Sequence, residues 1–215
     1  MIRSVLFDMD GVILDSMPYH VRAWQEALVE QGFSVSAELL YLHEGAIDLN
    51  TVAAVFQGNN RLIDADMFHG ILMRQMEIFA VRYQSLIKPF PEVLHILKRL
   101  REAGMQLALV TSSHAEILNK VLPTEIKGRM DYIVTGDKVK RRKPSPDPFL
   151  TALSGLGQGP ETCLVVENAP AGITAAKAAA LHCVALTTTL PDVYLSDADA
   201  VLSSHAELSD YLFRS

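Results

Sequence analysis

The chain has 215 residues, 49% of them apolar, which is enough for one sizeable domain or for one domain with a smaller insert. Its formal net charge of -6 and pI near 5.6 disfavour general attraction to nucleic acid or to anionic membranes. No apolar run approaches the length of a membrane span. The first residues lead directly into an apolar run rather than into a signal peptide, so we expect a cytoplasmic protein. Cys163 and Cys183 share no metal-ligand spacing with histidines, and we interpret them as reduced core thiols.

The first predicted strand, over residues 5–7, ends abruptly in two carboxylates, Asp8 and Asp10, and then Gly11. Burying acids costs free energy unless something pairs with them, so carboxylates at the end of a buried strand usually bind a cation or a substrate. The alternative is structural: the two aspartates cap the next helix, and Gly11 is an ordinary turn residue.

Helical periodicity follows, with no strand signal between residues 36 and 83. It predicts helices over about 18–31, 37–41, 50–56 and 66–83, the first with Ser16 as its cap. We therefore predict an all-helical cap domain over residues 15–87, inserted after the first strand. Met67, Met73 and Met76 recur at helical spacing, and we interpret them as core residues rather than as a ligand surface.

After residue 88, helix and strand alternate. A helix over about 92–103, closed by Gly104, precedes four apolar strands and the helices between them. These strands are predicted over 107–110, 132–134, 163–166 and 183–186, and the helices over 115–121, 146–156 and 171–180. A short strand at 200–202 and a helix at 206–212 complete the pattern. Such alternation predicts a doubly wound, Rossmann-like parallel α/β core, formed by residues 1–14 and 88–215.

Polar side chains follow the inner strands, where ligands bind in open parallel sheets. Thr111-Ser112-Ser113 follow the second strand, Glu167-Asn168 follow the strand at 163–166, and Lys143 lies in a loop before a helix. Oxygen ligands, a hydroxyl and an ammonium on one rim predict a phosphoryl site with a hard cation. Each residue also has an ordinary structural interpretation, as a helix cap, a solvated charge or a helix-start residue.

Four motifs occur in a fixed order: Asp8-Met9-Asp10-Gly11-Val12, Thr111, Lys143-Pro144 and Glu167-Asn168-Ala169-Pro170-Ala171-Gly172. Together with the helical insert, they resemble the haloacid dehalogenase superfamily, and the resemblance covers essentially the full chain. It implies a Mg²⁺-dependent phosphohydrolase that forms an aspartyl-phosphate. Dehalogenases of the superfamily lack the second aspartate, so Asp10 points to phosphate ester or anhydride chemistry.

The resemblance also implies a role for each residue. Asp8 matches the nucleophile and Asp10 the general acid and base, protonated at the outset. Thr111 matches the phosphate-binding hydroxyl and Lys143 the charge-neutralising lysine. Asp8, the backbone carbonyl of Asp10, Glu167 and Asn168 are implied around Mg²⁺, and Ser112 and Gly11 are assigned to the substrate.

Two kinds of relative compete over the substrate, which we expect to be a small phosphorylated metabolite or pyrophosphate. Residues 15–24 resemble the hinge of β-phosphoglucomutases, in which the residue matching His20 positions the acid/base. Those mutases carry basic residues where this chain has Glu44 and Asp48.

A phosphatase branch that includes a pyrophosphatase pairs His-Glu-Gly in the cap with Glu-Asn-Ala-Pro in the fourth motif, and both occur here. That branch often has an arginine where this chain has Ala46.

In that branch, Glu44 would complete the Mg²⁺ site on cap closure and compensate for the neutral Asn168. The alternative is that Glu44 is a solvated surface acid. We expect free phosphate as the product, with the mutase as the alternative.

Functions of other classes are less well supported. The basic run at 138–143 suggests a nucleic-acid patch, but the acidic chain around it favours anion steering and a solvated loop. A receiver-like signalling module is disfavoured by the chain length and the helical insert. A binding protein without turnover is disfavoured because all the residues needed for chemistry are present. We expect no nucleic-acid or membrane partner, and a monomer.

Overall fold

The computed structural model describes residues 2–43 and 64–214. A six-stranded parallel sheet forms its centre, with the strand order β3-β2-β1-β4-β5-β6. The strands are β1 (Ser4–Phe7), β2 (Gln106–Val110), β3 (Tyr132–Val134), β4 (Cys163–Glu167), β5 (His182–Leu186) and β6 (Ala200–Leu202). The sheet confirms the predicted doubly wound α/β core.

The helices are α1 (Met17–Glu30), α2 (Ala37–His43), α3 (Ala65–Ile78), α4 (Val93–Glu102), α5 (Ala115–Val121), α6 (Thr124–Lys127), α7 (Asp147–Leu156), α8 (Pro170–Ala178) and α9 (His205–Leu212). Helix α3 continues into a π-helical turn (Phe79–Tyr83) and a 3-10 turn (Gln84–Leu86). Further 3-10 turns lie at Pro160–Thr162 and Asp192–Tyr194. In the described part of the chain, no helix is both long and apolar enough to cross a membrane.

Hydrophobic side chains cover both faces of the sheet, because successive residues of a strand point to opposite sides. In β1, Val5 and Phe7 belong to the cluster under α4, α5 and α9, whereas Leu6 belongs to the cluster under α7 and α8. Cys163 and Cys183 lie in the second cluster as free, buried thiols, as predicted. Burial raises the pKa of both thiols, which keeps them protonated.

The register of the central strands decides where the polar residues meet. Phe7 in β1 lies opposite Leu109 in β2 and Val166 in β4. The residues that follow these three strands therefore emerge side by side at the carboxyl edge of the sheet.

Helices α1, α2 and α3 share a third buried cluster, which includes Trp24, Leu40 and Ile71. The chain reaches these helices and returns from them through neighbouring segments. Leu14 forms an antiparallel bridge with Pro89, and the backbone N–H of Asp15 donates to the Lys88 carbonyl over 2.9 Å. The cap-domain boundaries at 15 and 87 stay a prediction, and the helix predicted over 50–56 lies outside the described residues.

Two predictions about the helical region were wrong. Met73 and Met76 are 52% and 38% exposed, so they are not core residues; they line a cavity. Ser16 occupies the N-cap position of α1 but makes no side-chain cap, because its hydroxyl donates to Asp10 instead. Gly104 does close α4, with the positive φ of +75° that favours glycine.

Candidate active site

A cavity of about 410 Å³ lies between the carboxyl edge of the sheet and helices α1 and α3. Most of the predicted site residues line it: Asp8, Asp10, His20, Thr111, Ser112, Lys143, Glu167 and Asn168. The structure therefore brings together residues that are far apart in the chain. Gly11 is not among the lining residues, and Glu44 lies outside the described residues.

Asp8 stands directly after β1 and is 8% exposed. Burial raises the pKa of its carboxyl to about 8; the neighbouring Lys143 opposes this shift, while the negative charges of Glu167 and Asp10 add to it. The ionised form of Asp8 is therefore undercompensated, and a further cation beside it would stabilise the carboxylate.

Lys143 is 6% exposed and not a solvated charge. Its Nζ lies 2.5 Å from Asp8 Oδ1 and 2.5 Å from Glu167 Oε1, and it donates to the Val110 carbonyl over 2.9 Å. Burial alone lowers the pKa of this ammonium, but the attraction of the two carboxylates outweighs burial and raises it. Lys143 is therefore charged throughout the neutral range and joins Asp8 to Glu167.

Glu167 fits beneath helix α8 because residue 172 is glycine. A Cβ at Gly172 would lie 2.0 Å from the Glu167 carboxyl carbon, which no side chain could tolerate without displacement. The second carboxylate oxygen of Glu167 accepts the backbone N–H of Asn168 over 3.1 Å. Both oxygens of Glu167 are thus engaged with protein donors.

Asp10 is bound by donors from three segments of the chain. Ser16 Oγ donates to Oδ1 over 2.6 Å, Ser113 Oγ donates to Oδ2 over 3.0 Å, and His20 Nε2 lies 3.4 Å from Oδ1. Burial alone would raise the pKa of Asp10, but the hydrogen bond and charge of His20 and the two hydroxyls outweigh it and hold this pKa below its ordinary value. His20 is itself fixed by stacking on Phe79, with ring centroids 4.0 Å apart.

The turn after β2 supplies hydroxyl groups. Thr111 is 2% exposed, and its Oγ1 accepts the backbone N–H of Ser113 over 3.0 Å, which leaves the hydroxyl hydrogen available as a donor. Ser112 Oγ is buried and has no hydrogen-bond partner among the described residues. Since buried hydroxyls are normally paired, Ser112 is suited to binding a ligand oxygen.

Asn168 is held between two loops. Its Nδ2 donates to Thr189 Oγ1 over 3.1 Å, so Oδ1 is the remaining acceptor of the amide. Gly11, with a φ of +88°, gives the amide its space, because a Cβ there would lie 2.1 Å from Asn168 Nδ2. Thr188 Oγ1 donates to the Gly11 carbonyl over 2.6 Å and fixes the same turn.

The donor set fits a hard divalent cation of the Mg²⁺ type, which prefers oxygen ligands. Within residues 2–43 and 64–214, no group of three or more His, Cys, Asp or Glu side chains is placed to hold a metal ion. The ligands that the resemblance implies, the Asp8 carboxylate, the Asp10 backbone carbonyl, Glu167 and Asn168, stay a prediction. The undercompensated charge of Asp8 is the structural reason to expect a cation.

Three residues of the site were missed by sequence reasoning, Ser16, Thr188 and Thr189, and Ser113 was placed at the rim without a role. Serine and threonine are common in loops, and no spacing rule marks them as partners of Asp10, Gly11 or Asn168. The only signal was proximity in sequence, since Ser113 follows Thr111 closely.

Comparison with known proteins gives a consistent result. The family described as "Haloacid dehalogenase-like hydrolase" matches residues 5–186. Hexitol phosphatase A of Escherichia coli (strain K12) is 28% identical over 207 residues, covering 96% of this chain and 93% of its own length. Phosphoglycolate phosphatase of Aquifex aeolicus (strain VF5) is 31% identical over 206 residues, covering 90% of this chain and 92% of its own length.

Solved structures agree in fold. A structure described as "Putative beta-phosphoglucomutase from Bacteroides vulgatus" is 30% identical, with a TM-score of 0.81 over 98% of this chain and 87% of that one. The structure of CbbY from Rhodobacter sphaeroides in complex with phosphate is 27% identical, with a TM-score of 0.71 over 97% of this chain and 96% of that one. The family match, which spans most of the sequence, and the shared sheet show that the chain is an enzyme of the haloacid dehalogenase-like hydrolase family.

Proposed function

We propose that this enzyme is a Mg²⁺-dependent phosphohydrolase that releases phosphate from small phosphate monoesters through an aspartyl-phosphate on Asp8. One observation carries the proposal: two carboxylates, Asp8 and Asp10, face one cavity together with the Thr111 hydroxyl and the Lys143 ammonium, whose Nζ lies 2.5 Å from Asp8 Oδ1. A carboxylate beside a fixed cation is suited to attack on an anionic phosphoryl group, and a second carboxylate on the same cavity can transfer protons. The phosphatases among its relatives support the same reaction class.

In this proposal, Asp8, the backbone carbonyl of Asp10 and Asn168 would hold Mg²⁺, which would screen the repulsion between carboxylate and phosphate. Lys143 and the Thr111 hydroxyl bind the oxygens of the transferred phosphoryl group. For Glu167 we propose a role other than the metal ligation predicted from the sequence. Because both its oxygens bind Lys143 and the backbone, we assign it to positioning Lys143 rather than to direct ligation.

A carboxylate oxygen of Asp8 attacks phosphorus as the bond from phosphorus to the leaving alcohol breaks. Asp10 gives its proton to the leaving oxygen, then takes a proton from the water that attacks phosphorus and releases Asp8. With its pKa lowered, Asp10 is ionised before substrate binds, which differs from the protonated state that the resemblance implied. The proton arrives with the substrate, since a phosphate monoester retains one below its second pKa of about 6, and the nearby phosphate charge raises the pKa of Asp10.

The test is phosphate release from an aryl phosphate, with Mg²⁺ or with EDTA. Asp8→Asn should reduce turnover by roughly 10³-fold or more, because it removes the attacking oxygen and a metal ligand together. Asp197→Asn makes the same chemical change at an exposed position and is the matched control. Undiminished turnover in Asp8→Asn, or full activity in EDTA, would overturn the proposal.

The second candidate is a β-phosphoglucomutase-like activity, favoured by the contact between His20 and Asp10 and by the Bacteroides vulgatus structure. Incubation with β-glucose 1-phosphate and a bisphosphate activator tests it directly. Phosphatase action gives free phosphate, whereas efficient formation of glucose 6-phosphate would reverse our order of preference.

The role of Glu44 in Mg²⁺ binding, pyrophosphate as a substrate, the cytoplasmic location and the monomeric state stay predictions. If Glu44 contributes charge to the same ion as Asn168, Glu44→Gln should raise the Mg²⁺ requirement, and adding Asn168→Asp should partly restore it. Strictly additive effects of the two substitutions would rule out this shared role.

A further inference from the structure

The cavity has two chemically different sides. The sheet edge supplies the carboxylates, hydroxyls and ammonium described above. The opposite wall is apolar and consists mainly of Trp24 from α1, Leu72, Met73 and Met76 from α3, and Ile117 from α5. Met73 and Met76 are among the exposed large hydrophobic side chains, and they lie at a cavity rather than on a plain outer surface. Apolar side chains that line a cavity gain contacts when a ligand covers them.

One buried polar group interrupts this wall. Gln75 is 6% exposed and lines the cavity from α3. Its side-chain amide is therefore available to a ligand group that enters the cavity. Since an amide both donates and accepts, it suits a hydroxyl or carbonyl group.

Charge is distributed unevenly over the cavity. Among the described residues that α1 and α3 contribute to it, none is Lys, Arg, Asp or Glu. Arg142 and His114 lie on the core side, and Arg142 Nη2 contacts His114 Nε2 at 2.5 Å. If a substrate carried a second anionic group and directed it toward the apolar wall, that group would meet no cation among the described residues there and would lose its hydration.

We propose that the substrate is a phosphate monoester whose leaving group is an uncharged alcohol with a compact apolar skeleton of about ring size, able to exchange one hydrogen bond with Gln75. This inference rests on the proposed function of the site. The phosphate occupies the polar floor, and the carbon skeleton packs against Trp24 and Met73. A volume of about 410 Å³ leaves room for such a skeleton, since pockets of roughly 300–1,000 Å³ enclose drug-sized ligands. Pyrophosphate, bisphosphates and phosphorylated acids would leave the apolar wall uncovered.

The first experiment compares kcat/KM for cyclohexylmethyl phosphate, ethyl phosphate, 2-phosphoglycolate and pyrophosphate. The three esters release primary alkoxides, so their intrinsic reactivity is similar and differences report binding of the leaving group. The kcat/KM for cyclohexylmethyl phosphate should exceed that for ethyl phosphate and for 2-phosphoglycolate by at least about tenfold. A single methylene in an apolar pocket already changes kcat/KM by roughly 10- to 200-fold. Met73→Gln should reduce the ratio of cyclohexylmethyl to ethyl phosphate several-fold, while Val81→Gln, at a residue 78% exposed, should leave it unchanged.

A binding measurement keeps the inference testable even without turnover. Trp24 is the chain's single tryptophan and lines the cavity, so its fluorescence reports occupancy of the apolar wall. In Asp8→Asn, cyclohexylmethyl phosphate should change this emission saturably, at a concentration at least tenfold below that needed for 2-phosphoglycolate.

The outcomes separate the two proposals. If hydrolysis depends on Asp8 but 2-phosphoglycolate or pyrophosphate is preferred, or if Met73→Gln leaves the ratio unchanged, the leaving-group inference is wrong and the phosphohydrolase proposal stands. If no substrate is hydrolysed, or if hydrolysis survives Asp8→Asn, the proposed function fails. The fluorescence titration then decides the inference alone, and equal affinity for the apolar and the acidic ester would overturn it.

Discussion

Lys143→Met should be strongly destabilising, because this lysine connects two buried carboxylates. Its side chain is 5% exposed, and its Nζ lies 2.5 Å from both Asp8 Oδ1 and Glu167 Oε1. Methionine keeps most of the apolar stem but removes the ammonium, so Glu167 loses its cation and Asp8 loses a hydrogen-bond donor. Breaking a buried ion pair by removing one partner costs about 3–5 kcal/mol, since an uncompensated charge remains in the interior. For a chain of this size, that corresponds to a decrease in Tm of roughly 6–20 °C.

The assay is urea unfolding followed by circular dichroism near pH 7.5 without Mg²⁺. Lys177→Met is the matched control, because Lys177 also forms an ion pair, with Asp199 at 2.6 Å, but is 42% exposed. That pair is screened by solvent, so its loss should cost less than about 1 kcal/mol. Saturating Mg²⁺ should recover part of the stability lost in Lys143→Met, since a cation at Asp8 replaces some of the missing charge. Equal losses in the two variants would refute the assignment of Lys143 as a buried electrostatic link.

Three further predictions concern stability. Burial lowers the pKa of His205, which is 5% exposed, so the unfolded chain takes up a proton more readily than the folded one. His205 should therefore reduce the free energy of unfolding as the pH falls below about 6.5. The loss should be about 1.4 kcal/mol for each unit by which the pKa is lowered. Urea unfolding at pH 7.5 and 5.5 should show a smaller difference in His205→Gln than in the wild type, and identical differences would contradict this cause. Gly172→Ala should cost about 1–3 kcal/mol, because its Cβ would overlap the Glu167 carboxyl group. Gly70→Ala should instead stabilise α3 by about 0.5–1 kcal/mol in the same unfolding assay, because beyond the adjacent helix backbone and chain neighbours no atom lies within 4 Å of the added Cβ.

Sequence reasoning located the strands and the residues at their ends well, for a physical reason. In a parallel sheet all the carboxyl ends share one edge, so Asp8, Thr111 and Glu167 had to meet once their strands were identified. Lys143 was harder, because it lies in a loop: its charge suggested a place on the rim, and the resemblance to a family gave it a role there.

What could not be predicted depends on distances between loops and on the orientation of helices. Ser113 binds Asp10 only because the turn after β2 approaches the turn after β1. Met73 and Met76 have the 3.6-residue periodicity of core positions, yet they line a cavity, and periodicity cannot distinguish a core from a cavity wall. The pairing of Glu167 with Lys143 was not predicted, because it depends on tertiary geometry.

The paired segments at Leu14 and Pro89 have a consequence for how this architecture can be altered. Because the two ends of the helical region are hydrogen-bonded neighbours, the distance that any replacement must span is that of a tight turn. Loop closure depends only weakly on the length of chain between such ends, so the sheet tolerates helical inserts of very different size at this point. A chain in which a short glycine-containing turn joins Leu14 to Pro89 should therefore still form the parallel sheet and keep Asp8 beside Lys143. The residues at the carboxyl edge of the sheet and those of the apolar wall can therefore change independently in evolution. Phosphoryl chemistry constrains the first set, and the alcohol that is released constrains the second.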